Sequence, residues 1–121
     1  MQLKSVLLID DDQLLGSLIS GLTKPFGINL IQAMNGFHGL KLASEYKFDF
    51  IFVDLMLPQV DGLNVIRLLK GQPKRQNTRL IAISGRCDPL QQATTLEAGA
   101  DVFLAKPIDP LLLKRALGVT T

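Results

Sequence analysis

Short, dense apolar runs alternate with longer stretches of helical spacing along this chain. Residues 4–9 hold the first dense run, Ser5-Val6-Leu7-Leu8-Ile9, which stops abruptly at Asp10-Asp11-Asp12. Leu14, Leu15, Leu18, Ile19 and Leu22 then recur at the spacing of an amphipathic helix. Asp12 can cap that helix, and Pro25 and Gly27 end it. Residues 28–33 predict a second, weaker strand. Asn35-Gly36 could close a hairpin, but the helical spacing of Leu40, Leu42 and Ala43 makes it the entry to a helix. Residues 49–53 predict the central strand. Residues 50–53 belong to Phe50-Ile51-Phe52-Val53-Asp54-Leu55-Met56-Leu57-Pro58, a run apolar enough to be buried on both faces. Asp54 stands at its carboxyl end.

The second half repeats the rhythm. Asp61-Gly62 opens a third helix with Leu63, Val65, Ile66, Leu68 and Leu69 at helical spacing. A polar loop, residues 71–78, leads to a fourth strand at 79–84. Asp88-Pro89 joins a capping residue to a proline at the first helical position. The helix it starts runs to about Ala98, with Gly99 suited to the left-handed position beyond. Residues 101–105 form a short fifth strand. Asp109-Pro110 repeats the cap-plus-proline signal for a last helix, residues 111–118.

Five strands alternating with five helices predict an α/β fold: a flavodoxin-like, doubly wound (βα)5 three-layer sandwich with a parallel sheet. The expected strand order is 2-1-3-4-5. In that order the first and third strands are neighbours, so Asp10, Asp11 and Asp54 converge at the carboxyl edge of the sheet. Ser84 and Lys106, at the ends of strands four and five, lie on the same edge. Several acids gathered there need a cation or their protons.

Composition narrows the field. The 121 residues are 47% hydrophobic, which suits one domain with a real core. No apolar run is long enough to span a membrane, and the first residues lack the cleavage signal of a secretory leader. The single cysteine, Cys87, excludes an internal disulfide and fits a reducing, cytoplasmic setting. It reads as an inert thiol. A net charge of +2 argues for neither nucleic acid nor anionic lipid. Lys70, Lys74, Arg75 and Arg79 read as a solvated loop, and His38 as a solvated helix residue. Asp12 and Asp61 read as caps.

The chain resembles the receiver domain of two-component response regulators, including single-domain members of the chemotaxis type. Carrying the resemblance are Ile9-Asp10-Asp11, Asp54 through Gly62, Ser84-Gly85 and Lys106-Pro107, each at the end of a strand in the right order. It covers essentially the whole chain, residues 1–121. It implies that Asp54 accepts a phosphoryl group from a histidine kinase or a histidine phosphotransfer protein. Asp10 and Asp11 would hold Mg²⁺ with Asp54 and the backbone carbonyl of Met56, Asp10 acting through a water. Lys106 would supply the positive charge, aimed by a cis peptide before Pro107. Ser84 and Phe103 would form the switch. Phe103 stands where tyrosine is commoner, so that ring has no hydroxyl to bond.

The resemblance also implies a signalling domain rather than a turnover enzyme. Phosphorylation would rearrange the surface of the fourth helix, fifth strand and fifth helix, where a second copy or an output domain could bind. Leu111 to Leu113 give that last helix more leucine than one buried face needs. Its shortness favours a segment of a longer protein. Arg86, two residues past Ser84, is placed to tune the phosphoryl lifetime. Three other functions fit less well. A phosphatase of the haloacid-dehalogenase kind needs a second acid where Met56 stands. A flavin module needs a phosphate-binding loop where three acids stand. A scaffold receiver that works without phosphorylation leaves the filled chemical positions unexplained.

Overall fold

The computed structural model describes residues 4–57, 59–73, 77–86 and 88–119. Pro58, Lys74, Arg75 and Cys87, each singled out by the sequence, lie outside them. In chain order the elements are β1 (Lys4–Ile9), α1 (Gln13–Thr23), β2 (Ile28–Ala33), α2 (Gly36–Glu45) and β3 (Phe50–Asp54). Then come α3 (Gly62–Lys70), β4 (Arg79–Ser84), α4 (Pro89–Ala98), β5 (Val102–Ala105) and α5 (Pro110–Leu117). A 3-10 turn, Lys24–Phe26, follows α1. The five strands form one parallel sheet in the order β2-β1-β3-β4-β5, as the alternation predicts.

The dense apolar runs are dense because each strand is covered twice. Leu7, Ile9, Ile51, Val53, Leu80 and Ala82 face one layer, with Ala43 of α2 and Val65, Ile66 and Leu69 of α3. Val6, Leu8, Phe50, Phe52, Ile81 and Ile83 face the other, with Leu15 and Ile19 of α1 and Leu113, Ala116 and Leu117 of α5. Alternate side chains of one strand therefore feed two cores.

Each helix starts on an Asp or Asn whose side chain accepts from a backbone N–H of the first turn. These are Asp12, Asn35, Asp61, Asp88 and Asp109. Such a cap contributes about 1 kcal/mol, and here it also fixes where each loop at the carboxyl edge of the sheet ends.

Some expectations shift. Leu14 and Leu18 of α1 and Leu68 of α3 are exposed, because the buried stripes run through their neighbours Leu15, Ile19 and Leu69. β3 runs from Phe50 to Asp54, one residue later than 49–53. Asp49 instead accepts from the N–H of Ser5 at 2.8 Å, closing the amino edge of the sheet. β5 begins at Val102, because the Asp101 carboxylate accepts from the N–H of Leu80 at 2.8 Å. Gly99 has a φ of 129°, beyond the ordinary left-handed region, whereas Gly27 and Gly118 lie within it at 73° and 72°.

Gly62 is required by a close approach. A Cβ there would lie 2.5 Å from Leu55 Cα and 2.8 Å from the carbonyl oxygen of Asp54. The first turn of α3 thus rests directly on the backbone leaving β3. Gly62→Ala should cost about 2 kcal/mol, since the atoms in the way are backbone and cannot swing aside. Urea denaturation would measure it, and unchanged stability would show that the two segments are not in forced contact.

Candidate functional site

Sheet register assembles the site. Ile9 is paired with Val53, so the next residues, Asp10 and Asp54, emerge side by side. Asp54 is paired with Ile83, which puts Ser84 one step further along β4. Ser84 is paired with Ala105, which puts Lys106 one step beyond β5. Four strand ends thus deliver two acids, a hydroxyl and an amine to one edge.

Asp10, Ser84 and Asp54 are buried, while Asp11 is exposed. Lys106 Nζ reaches across to both buried carboxylates, 3.0 Å from Asp10 Oδ2 and 3.2 Å from Asp54 Oδ2. The other carboxylate oxygens are held by the backbone. Asp12 N–H donates to Asp10 Oδ1 at 2.9 Å, and Met56 N–H donates to Asp54 Oδ1 at 2.9 Å. Ser84 Oγ accepts from Arg86 N–H at 3.0 Å. The Lys106–Pro107 peptide is cis.

The electrostatics follow from burial and pairing. Burial pushes the Asp10 carboxyl above its ordinary value of 3.8, and the Asp54 charge adds to this. The Asp12 N–H and Lys106 pull against it without cancelling it. Burial alone would lower the Lys106 ammonium, but Asp10 and Asp54 more than offset it and hold the group above 10.5.

Asp10, Asp11 and Asp54 each offer an oxygen within 4.8 Å of the others. Asp10 Oδ2 is buried and receives no hydrogen bond, Lys106 being its ionic partner. An all-oxygen set with one side open to water suits a hard divalent cation that keeps several waters, as Mg²⁺ does.

The sequence-predicted residues do not all meet. Phe103 is half-buried against the core on the α2–α3 face. The Met56 side chain is exposed, leaving its backbone as the part directed by the Asp54 loop. His38 is exposed on α2. Asp12 and Asp61 cap α1 and α3 as read, but the N–H of Asp12 also holds Asp10. Sequence reasoning missed Gln32, whose amide donates to the carbonyls of Asp10 and Asp12. The signal was a polar residue two positions after Leu30, on a face of β2 that otherwise packs inward.

A doubly wound parallel sheet with acids and a lysine gathered at its carboxyl edge defines a class of α/β domain whose site is an acidic cluster offset by one ammonium. The family model of the response regulator receiver domain matches residues 6–118, and the chain belongs to that family. It is 30% identical over 105 residues to the polar-differentiation response regulator DivK of Brucella anthropi, covering 87% of this chain and 85% of DivK. A response regulator from Burkholderia pseudomallei, solved with a phosphorylated aspartic acid, a calcium ion and citrate, is 33% identical with a TM-score of 0.83. That match covers 94% of this chain and 66% of the other. The chemotaxis protein CheY4 of Vibrio cholerae shares the fold, with a TM-score of 0.88 at 23% identity over 97% of this chain and 98% of CheY4.

Lys106→Met should strand two buried carboxylates and lower stability at pH 7 by about 2 kcal/mol. That is less than for a fully buried pair, because the ammonium is partly open to solvent. The raised carboxyl of Asp10 sets the pH dependence. The folded chain keeps that proton to higher pH than the unfolded chain, so this group favours folding at low pH and less so as pH rises through its raised value. The raised Lys106 contribution is present below 10.5 and is lost only as pH climbs through its own raised value. The deficit of the variant should therefore shrink from pH 7 to pH 4, because acid favours the protonated form of Asp10, which needs the ammonium less. Denaturation in EDTA at the two pH values checks this, and an equal deficit at both would contradict it.

Proposed function

We propose that this chain, residues 1–121, is a cytoplasmic phospho-accepting switch in which Asp54 takes a phosphoryl group from a histidine kinase or a histidine phosphotransfer protein. The observation that carries the reading is Asp54 at the end of β3, buried beside Asp10 and bound by Lys106 at 3.2 Å. A carboxylate oxygen of Asp54 attacks phosphorus as the donor's phosphorus–nitrogen bond breaks, leaving an acyl phosphate.

Asp10, Asp11, Asp54 and the Met56 carbonyl would hold Mg²⁺. When bound, it offsets the repulsion between an anionic nucleophile and an anionic phosphoryl group. Lys106, shared between two carboxylates, turns one of its three N–H groups to a phosphoryl oxygen. Ser84 already accepts from Arg86 N–H and can donate its own proton to another oxygen. That bond draws the loop after β4 inward, gives Phe103 space to move, and changes the face made by α4, β5 and α5. A second copy or an output domain would read that face.

A protein donor also needs a place to rest. Beside the acids lies a cavity of about 490 Å³ lined by Leu14, Leu15, Leu18, Pro107 and Ile108, together with Asp12 and Lys106. Leu14 is 83% exposed at its rim. This apolar shelf favours delivery by a protein helix over delivery by a free small molecule. The domain is read as a signalling module rather than a turnover enzyme. A phosphatase of the haloacid-dehalogenase kind would need an acid at Met56. With a net charge of +2, nucleic acid is not an expected partner of this domain.

Incubation with acetyl phosphate and Mg²⁺ should add one phosphoryl group by intact mass, lost with EDTA and absent in Asp54→Asn. An adduct that persists in the variant would place the acceptor elsewhere. Ser84→Ala should still take up the phosphoryl group. Hydrogen exchange of the wild type under beryllofluoride should change at residues 84–119, and the variant should lose most of that change. A wild-type response confined to α1 and α2 would contradict the proposed output face.

A further inference from the structure

We infer that Gln32 and Gly16 form a brace that sets the acidic loop between β1 and α1 for its cation, making Gln32 a positioning residue. The inference rests on the phospho-acceptor reading above and names a residue of this chain that serves it.

Period-two alternation puts Gln32 on the same face of β2 as Ile28 and Leu30, which pack on the α1–α5 side of the sheet. A half-buried amide there is costly unless it is hydrogen-bonded. Its Nε2 donates to the carbonyl oxygen of Asp10 at 2.8 Å and to that of Asp12 at 3.0 Å. Both partners are acceptors, so the NH₂ end must face them, and the orientation of the amide follows from chemistry.

The amide reaches the loop through a slot in α1. A Cβ on Gly16 would lie 2.0 Å from Gln32 Oε1 and 2.8 Å from its Cδ. No other side chain at position 16 leaves that path open. The two carbonyls flank Asp11, so the brace grips the loop on both sides of the exposed acid. β2 adds a third hold one residue on, where Asp10 N–H donates to the carbonyl oxygen of Ala33 at 3.0 Å.

Three successive acids repel one another, and without the brace the loop can relieve that repulsion by moving Asp11 outward. Folding does not need the brace, because the cap of α1, the ladder of β1 and the Lys106 ion pairs remain. Cation binding does need it, because the ligands must be held converged against their own charge. Gln32 thus orients ligands through their backbone, as outer-shell partners commonly do.

Titration calorimetry with Mg²⁺, paired with thermal unfolding in EDTA, tests this on wild type, Gln32→Leu, Gly16→Ala and the double variant Gly16→Ala/Gln32→Ala. Gln32→Leu and Gly16→Ala should each weaken Mg²⁺ binding about tenfold, with midpoints in EDTA close to wild type. Gly16→Ala is the sharper test. It adds a methyl to a helix, which offsets the amide's lost hydrogen bonds, and displaces only the end of a flexible side chain, so stability should change little while affinity falls. The double variant should bind no more weakly than either single, because one contact is broken once. Wild type that binds Mg²⁺ with both single variants binding equally well would overturn the brace alone. So would affinity and EDTA stability falling in parallel in both single variants. Wild type with no Mg²⁺ binding would overturn the phospho-acceptor reading, and the brace with it.

Discussion

Two buried carboxylates share one ammonium at the end of this sheet. Asp10 and Asp54 are adjacent because β1 and β3 are paired in a register that ends both strands together. Left alone, they would repel in a poorly solvated site, and one of them would hold its proton. Lys106 at 3.0 and 3.2 Å lowers that penalty for both. The amine arrives from β5, the last strand, so the electrostatics of the site tie the first strand to the end of the sheet. The arrangement is only partly relieved, as the raised Asp10 carboxyl shows. An oxygen-seeking cation would relieve it further. A resting site that is short of positive charge favours a bound cation, and the same shortage makes it unfavourable for a bare phosphate.

The scaffold keeps this charge cluster from unfolding its own edge. Loops at the carboxyl edge end on Asp or Asn caps, so each helix start is fixed by a side-chain hydrogen bond to its first turn. The acids also accept from backbone N–H groups two residues on, Asp10 from Asp12 and Asp54 from Met56. Gly62 lets α3 sit on the backbone of Asp54 and Leu55, so the strand end that carries Asp54 cannot shift without moving a helix. Local turn chemistry thus supplies the rigidity that an anionic site needs and that its own charges oppose.

Most of this was legible in the sequence, for reasons that can be named. Strands buried on both faces show as unbroken apolar runs, and runs that stop at Asp10, Asp54 and Ser84 show where the edge lies. Asp-Pro at two helix starts marks boundaries to within a residue. What was not legible depended on three-dimensional neighbours. Leu14 and Leu18 share the period of Leu15 and Ile19 yet face water, because spacing gives the stripe but not its width. Asp49 and Asp101 looked like strand starts and are instead side-chain ties across the sheet. Gln32 carried no motif, and its partners are main-chain carbonyls that any residues would present. Its one sequence trace was a polar residue facing inward opposite a glycine in another element.

The proposed switch must work under a constraint peculiar to this chain. Phe103 cannot hydrogen-bond, so its ring position is decided by packing alone. It lies half-buried against the core of the α2–α3 face, where it is neither free nor fully committed. If Ser84 draws the β4–α4 loop inward on phosphorylation, apolar space is left beside the ring, and unfilled apolar space is costly. The ring then follows the loop without needing a polar partner at its new position. In the proposed switch the polar selectivity would therefore fall on the Ser84 hydroxyl, and the aromatic would contribute shape. A tyrosine at this position would add a hydroxyl that needs a polar partner wherever the ring is buried. In the proposed switch a phenylalanine would tie the two states only to the volume Ser84 leaves behind, so the equilibrium between them would be set by the phosphoryl group and the loop.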